Sequence, residues 1–372
     1  MPTPPGFRLR QDLHDGVSDR LQPTVPLDLS SVHSVQELLA SMSQTAFGGR
    51  LLGEAADVLY SMVADPDCFV IGTFSGAMTV AKMGLVLCDM IEQNMIHAVI
   101  STGALMAHGL VEASGRRHFK YDPGMDDTAL YDRGYNRVYD TLELEQNLDD
   151  VADIFEQMLT TVAPTEPLCS HEINRRLGAY LAQEVPERGI LKSAYAHSVP
   201  VYVPAFTDSE IGLDFALCNR KRQLVGQPRL AYDPFLDLEH YTELVQGKKK
   251  LGIFTIGGGV PRNWGQQIGP YLELIAKRVG QNVDLQRFSY GIRICPEPAH
   301  WGGLSGCTYS EGVSWGKFVP PSEGGRFAEV LCDATIAWPL IVKAVQERLA
   351  MTTPVSAEKP YMNGQTVVAT SV

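Results

Sequence analysis

A lysine stands at position 317 in the run SEGVSWGKF (residues 310–318), two residues after Trp315 and six after Glu311. A lysine is a nucleophile only as the free amine. Burial disfavours the ammonium and lowers its pKa from ~10.4, and a lysine of that kind forms an imine with a carbonyl or imine carbon. Trp315 offers an apolar wall and a cation–π face for a ligand ammonium. Glu311 adds a carboxylate that suits a cation or a proton transfer. The ordinary alternative is a solvated side chain, since Lys317 is one of 31 basic residues.

Other residue types point to a phosphate- or ribose-bearing ligand. Gly257, Gly258 and Gly259 follow an apolar run and lead towards a helix. Such a turn lets backbone approach a ligand, and the free N–H groups of the coming helix suit an anion; a tight turn alone is the other reading. There is no GxGxxG. The turns GTFSGA (72–77, with Ser75) and STGA (101–104, with Thr102 and Gly103) are of the same kind. TDSEIGLD (207–214) reads as a polar turn carrying Asp208, Glu210 and Asp214, and Asp333 follows the run AEVLC. Carboxylates at strand ends hold ribose hydroxyls or ligand ammonium groups, or else cap turns.

These residues need a sheet to carry them. CFVIGTF (68–74), HAVIST (97–102), VPVYVPAF (199–206), KKKLGIFTIGGGV (248–260), VDLQRFSYGIRI (283–294) and FAEVLCDA (327–334) read as strands. Helical spacing is expected over 34–47, 51–65 and 79–94, in LEQNLDDVADIFEQMLTTV and SHEINRRLGAYLAQEV, after the triple glycine, and over TIAWPLIVKAVQERLA. Repeated strand–turn–helix units, with small or acidic residues at the strands' carboxyl ends, predict an α/β fold: a doubly wound, mainly parallel sheet that binds ligands at those ends. Residues 115–140 read as a charged, irregular functional or interface excursion. The expected organisation is an extended arm over 1–30, one α/β domain over 31–351 that opens with helices, and a polar tail over 352–372.

The composition excludes several classes. Of the 372 residues, 45% are hydrophobic and 20% charged, which suits a folded globular protein. A formal charge of −12 argues against nucleic acid as the main partner. The seven cysteines show no CxxC pair and mostly lie in apolar runs, as reduced thiols do. No HxxxH or HExxH pair appears among the nine histidines, so no metal is expected. The sequence shows neither a signal peptide nor an apolar run long enough for a membrane span, and a cytoplasmic location is the expectation.

The order of several motifs adds a family resemblance. EGVSWGK, with TAFGGRLLGEAADVL, QNMIHAVISTGALMAHGLVEA, RGYNRVYD, RRLGAYL, VPVYVPAFTDSEIG, IGGGVPR and VLCDATIAWPLIV, resembles the deoxyhypusine synthases over roughly residues 40–350. The resemblance implies a Rossmann-like fold, a homotetramer, and NAD as cofactor. It also implies transfer of the 4-aminobutyl group of spermidine, through an imine on Lys317, to an acceptor amine: a protein lysine in deoxyhypusine synthesis, or putrescine in homospermidine synthesis. A non-catalytic NAD- or polyamine-binding homologue is the alternative of another class. Carried over by position, Glu311, Trp315, Asp214, Asn263 and Gln267 fall in the polyamine pocket. Ser75, Thr102, Gly103, Asp208, Gly257, Gly258, Gly259 and Asp333 fall on the NAD side. The chain departs from the family pattern in four places. Asn263 replaces a histidine, Gln267 an asparagine, and Trp301 and Leu304 stand where two aspartates are usual. The TDSEIGLD loop is also one residue longer. The resemblance therefore implies the reaction type more firmly than the amine.

Overall fold

The computed structural model describes residues 12–352; residues 1–11 of the expected arm and 353–372 of the expected tail lie outside them. Its strands are β1 (Cys68–Phe74), β2 (Ala98–Ser101), β3 (Phe119–Lys120), β4 (Tyr135–Val138), β5 (Thr141–Leu144), β6 (Val201–Tyr202), β7 (Lys250–Ile256), β8 (Phe288–Ile294) and β9 (Arg326–Val330). Six of them form a sheet in the order β6-β2-β1-β7-β8-β9, and every neighbouring pair is parallel. The chain runs outward from β1 to β6, returns to place β7 beside β1, and runs outward again to β9. The order reverses between β1 and β7, which makes the crevice beyond their carboxyl ends the topological switch point of a doubly wound sheet.

The strand sequences explain this arrangement. Successive side chains point to opposite faces, and both faces are covered, so β1 and β7 are apolar almost throughout. Val70, Phe74, Phe254 and Ile256 enter one core cluster, with the helices Phe47–Ala64, Gly84–Glu92 and Ala334–Thr352. Ile71, Leu251 and Ile253 enter the other, with Tyr241 and Val245 of the helix Phe235–Val245 and Ile268 and Leu272 of Ile268–Leu274. Burial of such side chains stabilises by roughly 1.5–3 kcal/mol each.

The structure corrects several sequence-based boundaries. The strand expected over 199–206 shrinks to β6, because Pro200 and Pro204 flank it and carry no N–H for a ladder. The helix expected over 79–94 begins at Gly84. The excursion is not irregular throughout: β3, β5 and β4 make a small antiparallel sheet, with the helix Asp127–Asp132 in the connection. The helix after the triple glycine breaks into Gly259–Gln266 and Ile268–Leu274, since Pro270 has no N–H to offer Gln266. TDSEIGLD is a turn only to Ser209, whose hydroxyl accepts from Gly212 N at 3.1 Å and caps the helix Glu210–Leu224. Asp214 is therefore helical.

Candidate active site

The switch-point turns are stitched together by their own backbone. Ser75 N donates to Ile256 O at 3.0 Å, and Thr102 N to Phe74 O at 3.1 Å. The Ser75 hydroxyl donates to Gly258 O, and Thr102 Oγ1 to Gly76 O at 2.6 Å. Gly257 and Gly259 have φ of +79° and +57°, the left-handed region that glycine adopts without strain. A side chain at Gly259 would meet nothing within 4 Å, so this turn faces open space. Gly103 is packed so closely that a Cβ would fall 2.2 Å from that of Ser209, which brings the helix after β2 against the turn bearing Asp208. The structure thus gathers Ser75, Thr102, Gly103, Asp208 and Gly257–Gly259 along one sheet edge. Asp333 ends the same edge three strands from β1, roughly 14 Å at ordinary strand spacing, and its carboxylate accepts from Thr335 N at 2.6 Å.

Lys317 is positioned by a different device. Thr308 caps the short helix Tyr309–Ser314, and Gly316, with φ +69°, turns the chain back from it. Lys317 N then donates to Gly312 O at 3.1 Å, while Lys317 O accepts from Phe288 N at 2.9 Å at the start of β8. Fully buried Phe318 anchors the segment, with Phe288, Tyr309 and Phe327 around it. The Lys317 side chain runs inward and leaves the residue 6% exposed, and its Nζ donates to Asn263 Oδ1 at 3.1 Å. Burial holds its pKa below that of an ordinary lysine. The Arg262 guanidinium pushes the same way, against the opposing pull of Cys307 and Glu311.

Lys317 opens on a cavity of about 590 Å³ that Asn263, Gln267, Glu311 and Trp315 also line. Ala299, His300 and Cys307 of the loop after β8 complete the wall. Trp301 and Leu304 lie on that loop with exposures of 62% and 78%. A larger cavity of about 720 Å³ lies behind Tyr309 and Ser310, against Glu54 and Asp57, and holds none of the expected site residues. The two halves of the site share a wall at Gly258, where a Cβ would sit 1.6 Å from Ser305 O. Arg293, 1% exposed, locks that contact: Nε donates to Gly257 O at 3.1 Å, and Nη2 donates to the Ser305 hydroxyl.

Asp214 does not line this cavity within the chain. It is half-buried on its helix, and burial with the nearby carboxylates of Glu156 and Glu210 pushes its pKa up to about 6. Sequence reasoning does not reach Arg262, His300 and Cys307: Arg262 ends the IGGGVPR run, but the signal there is the glycines, and His300 and Cys307 lie in no motif. It also missed two buried polar groupings built from distant residues. His108, His118 and Glu143 bring donor atoms within 4.8 Å of one another, as do Cys169, His171 and Asp237. Glu143 also accepts from Asn147 Nδ2 at 2.7 Å. Burial raises its pKa, but hydrogen bonds from His108, His118 and Asn147 outweigh that and hold it at about 2. Asp237 caps the helix Ser170–Glu184, accepting from Ser170 N and His171 N at 3.0 Å each. Both carboxylates are thus already engaged in fastening elements together.

The family model for deoxyhypusine synthase matches residues 37–345. The chain belongs to the deoxyhypusine synthase family. It is 35% identical over 331 residues to the probable deoxyhypusine synthase 2 of Methanosarcina acetivorans, covering 88% of this chain and 90% of the relative. It is 32% identical over 311 residues to a deoxyhypusine synthase-like protein of Chlorobaculum parvum, covering 83% and 85%. A crystal structure of an Entamoeba histolytica chain bearing the deoxyhypusine synthase name superposes with a TM-score of 0.55 at 12% identity. That match covers 86% of this chain and 95% of the other, and supports the fold. Membership of this family makes the protein a transferase. Among the described residues no helix is long and apolar enough to cross a membrane.

Proposed function

We propose that this family member is an NAD-dependent aminobutyl transferase that moves the 4-aminobutyl group of spermidine to an acceptor amine through an imine on Lys317. The observation that carries the reading is Lys317 itself: buried, shifted towards its free amine and open to a cavity that abuts the switch-point turn. The residues at that turn fit a dinucleotide. Open backbone at Gly259 lies at the start of a helix, where N–H groups suit a pyrophosphate. The hydroxyls of Ser75 and Thr102 and the carboxylate of Asp208 suit ribose. When bound, NAD would take a hydride from the carbon beside spermidine's secondary amine and later return one.

In this reading the Lys317 amine attacks the carbon of the resulting imine, and the carbon–nitrogen bond to 1,3-diaminopropane breaks. The departing amine takes the proton, and the butylamine fragment stays as an imine on Lys317. The acceptor amine then displaces Lys317. Glu311 faces the substrate ammonium, Trp315 offers its ring face, and Asn263 orients Lys317 Nζ. Incubation with spermidine and NAD, with borohydride added, should leave a butylamine adduct on Lys317 and release 1,3-diaminopropane, both read by mass. Lys317→Ala should lower the rate by about 10³-fold or more. Absence of diaminopropane from the wild type would leave the non-catalytic reading. Putrescine and a lysine-bearing protein, offered as separate acceptors, distinguish the two transferase products. The homotetramer and the cytoplasmic location expected from the family belong to the same proposal.

A further inference from the structure

Arg262 is 2% exposed and takes part in no ion pair among the described residues. Its Nη1 donates to Cys307 O at 2.7 Å, and its guanidinium lies 5.4 Å from the centre of the Tyr309 ring. Nε and Nη2 are buried and make no hydrogen bond to any described residue. A buried charge without a counter-charge is costly to keep, so an arginine placed this way points to a role beyond packing. Two neighbours define its setting. Residue 263, next in the chain, holds Lys317 Nζ, and Cys307, whose carbonyl it grips, lines the Lys317 cavity.

We propose that Arg262 is a positioning residue whose buried, permanent charge beside the Lys317 cavity favours the free-amine form of the lysine. The argument has three steps. An arginine side chain keeps its charge throughout the working pH range. A buried like charge beside an amine disfavours its ammonium, and a neighbouring cation is a recognised way to activate a lysine. Among the described residues no carboxylate pairs with Arg262; the Glu329 carboxylate acts on Tyr309, whose ring packs against the guanidinium, without reaching it as an ion pair. The other titratable groups around Lys317 are Glu311 on the Tyr309–Ser314 helix, and His300 and Cys307 on the loop after β8. Glu273 approaches Gly316 but is paired with Lys277. Burial and the Arg262 charge together lower the lysine's pKa against the pull of Cys307 and Glu311. The Arg262 fork also fixes the loop at Cys307, so a role in shape must be separated from a role in charge.

This inference rests on Lys317 being the imine-forming residue, and its test needs neither NAD nor spermidine. The full-length protein is mixed with butanal and cyanoborohydride across a pH series. Water is lost as the imine forms, hydride from the reagent reduces it, and the butyl adduct on Lys317 is counted by mass. In the wild type the adduct should rise with pH along a limb set by Lys317. Arg262→Met, which removes the charge and the unpartnered donors, should move that limb up by about one pH unit, a roughly tenfold loss of adduct at a fixed pH below it. Arg262→Lys keeps the charge and should leave the limb in place.

An unmoved limb in Arg262→Met overturns the inference, as does an equal shift in both variants. Loss of the cooperative melting transition in both variants also overturns it, because the guanidinium then serves the fold. If Arg262→Met alone fails to melt cooperatively, the Arg262→Lys limb decides: coincidence with the wild type supports the charge, and displacement refutes it. If the wild type gives no Lys317 adduct with butanal, the transferase reading fails as well. A Lys317 adduct with an unmoved limb in Arg262→Met refutes only the role of Arg262.

Discussion

The two halves of the site are made of different material. At the end of β1 and β7 the working surface is backbone: glycine turns, amide N–H groups, and hydroxyls bonded to carbonyls. Around Lys317 it is side chains, brought from the helix after β7, the loop after β8 and the short helix Tyr309–Ser314. A backbone cradle recognises what many ligands share, such as a phosphate, and depends on a few residues with no side chain. A side-chain cavity sets charge and shape and tolerates exchange of its lining. The resemblance implies the same contrast: it keeps the turn at Gly257–Gly259, whereas Asn263 and Gln267 in the cavity wall and Trp301 and Leu304 on the loop after β8 are the positions expected to depart from the family pattern.

The contrast can be broken at the wall the halves share. Gly258→Ala places a methyl 1.6 Å from Ser305 O, so both turn and loop must move. We expect a loss of about 1–3 kcal/mol in unfolding free energy, together with weaker NAD binding and slower trapping of Lys317. Calorimetry, NAD titration and aldehyde trapping check the three effects. If trapping survives while NAD binding is lost, the halves are independent.

A smaller effect sharpens the side-chain half alone. Glu311 pulls the lysine's pKa up, so Glu311→Gln should shift the acid limb of butanal trapping down and increase adduct about two- to tenfold near neutral pH. NAD affinity should not change. A limb that moves up would show that Glu311 does not act on Lys317 through its charge.

The smallest effect concerns a residue outside both halves. The Asp214 carboxyl titrates at about 6 in the folded protein against an ordinary 3.8. Between those values the folded state binds more protons than the unfolded one. Stability therefore falls as pH rises through the window, and the full cost is present above it. Asp214→Asn should melt higher than the wild type at pH 7–8, with the advantage fading towards pH 4. An advantage that persists at pH 4 would remove the carboxylate repulsion from Glu156 and Glu210 as its cause.

Parts of this were legible in the sequence for physical reasons. β1 and β7 announce themselves because a strand covered on both faces must be apolar throughout. The triple glycine is visible because only glycine takes the left-handed turn at Gly257 and Gly259 without strain. The motif singles out Lys317, and Phe318 beside it anchors the segment, but the partner of its Nζ, Asn263, stands 54 positions away. Arg262 looked like any other basic residue, since its enclosure depends on Gly306 and Tyr309, more than forty positions away. The helix that carries Asp214 is hidden because TDSEIGLD reads as a polar turn throughout, whereas the Ser209 hydroxyl caps a helix that starts at Glu210. The strands β3 and β4 are short and largely exposed and carry no hydrophobic alternation to reveal them.

The loop after β8 is fastened by side chains at its two ends and by backbone turns between them. Arg293 binds Glu297 O and Ser305, Arg262 grips Cys307 O, and Trp301 and Leu304 stand exposed in the stretch between. Neither side chain takes part in the anchoring contacts. In the proposed reading, a lineage can therefore alter which amine it admits through this stretch while both anchors keep their hold.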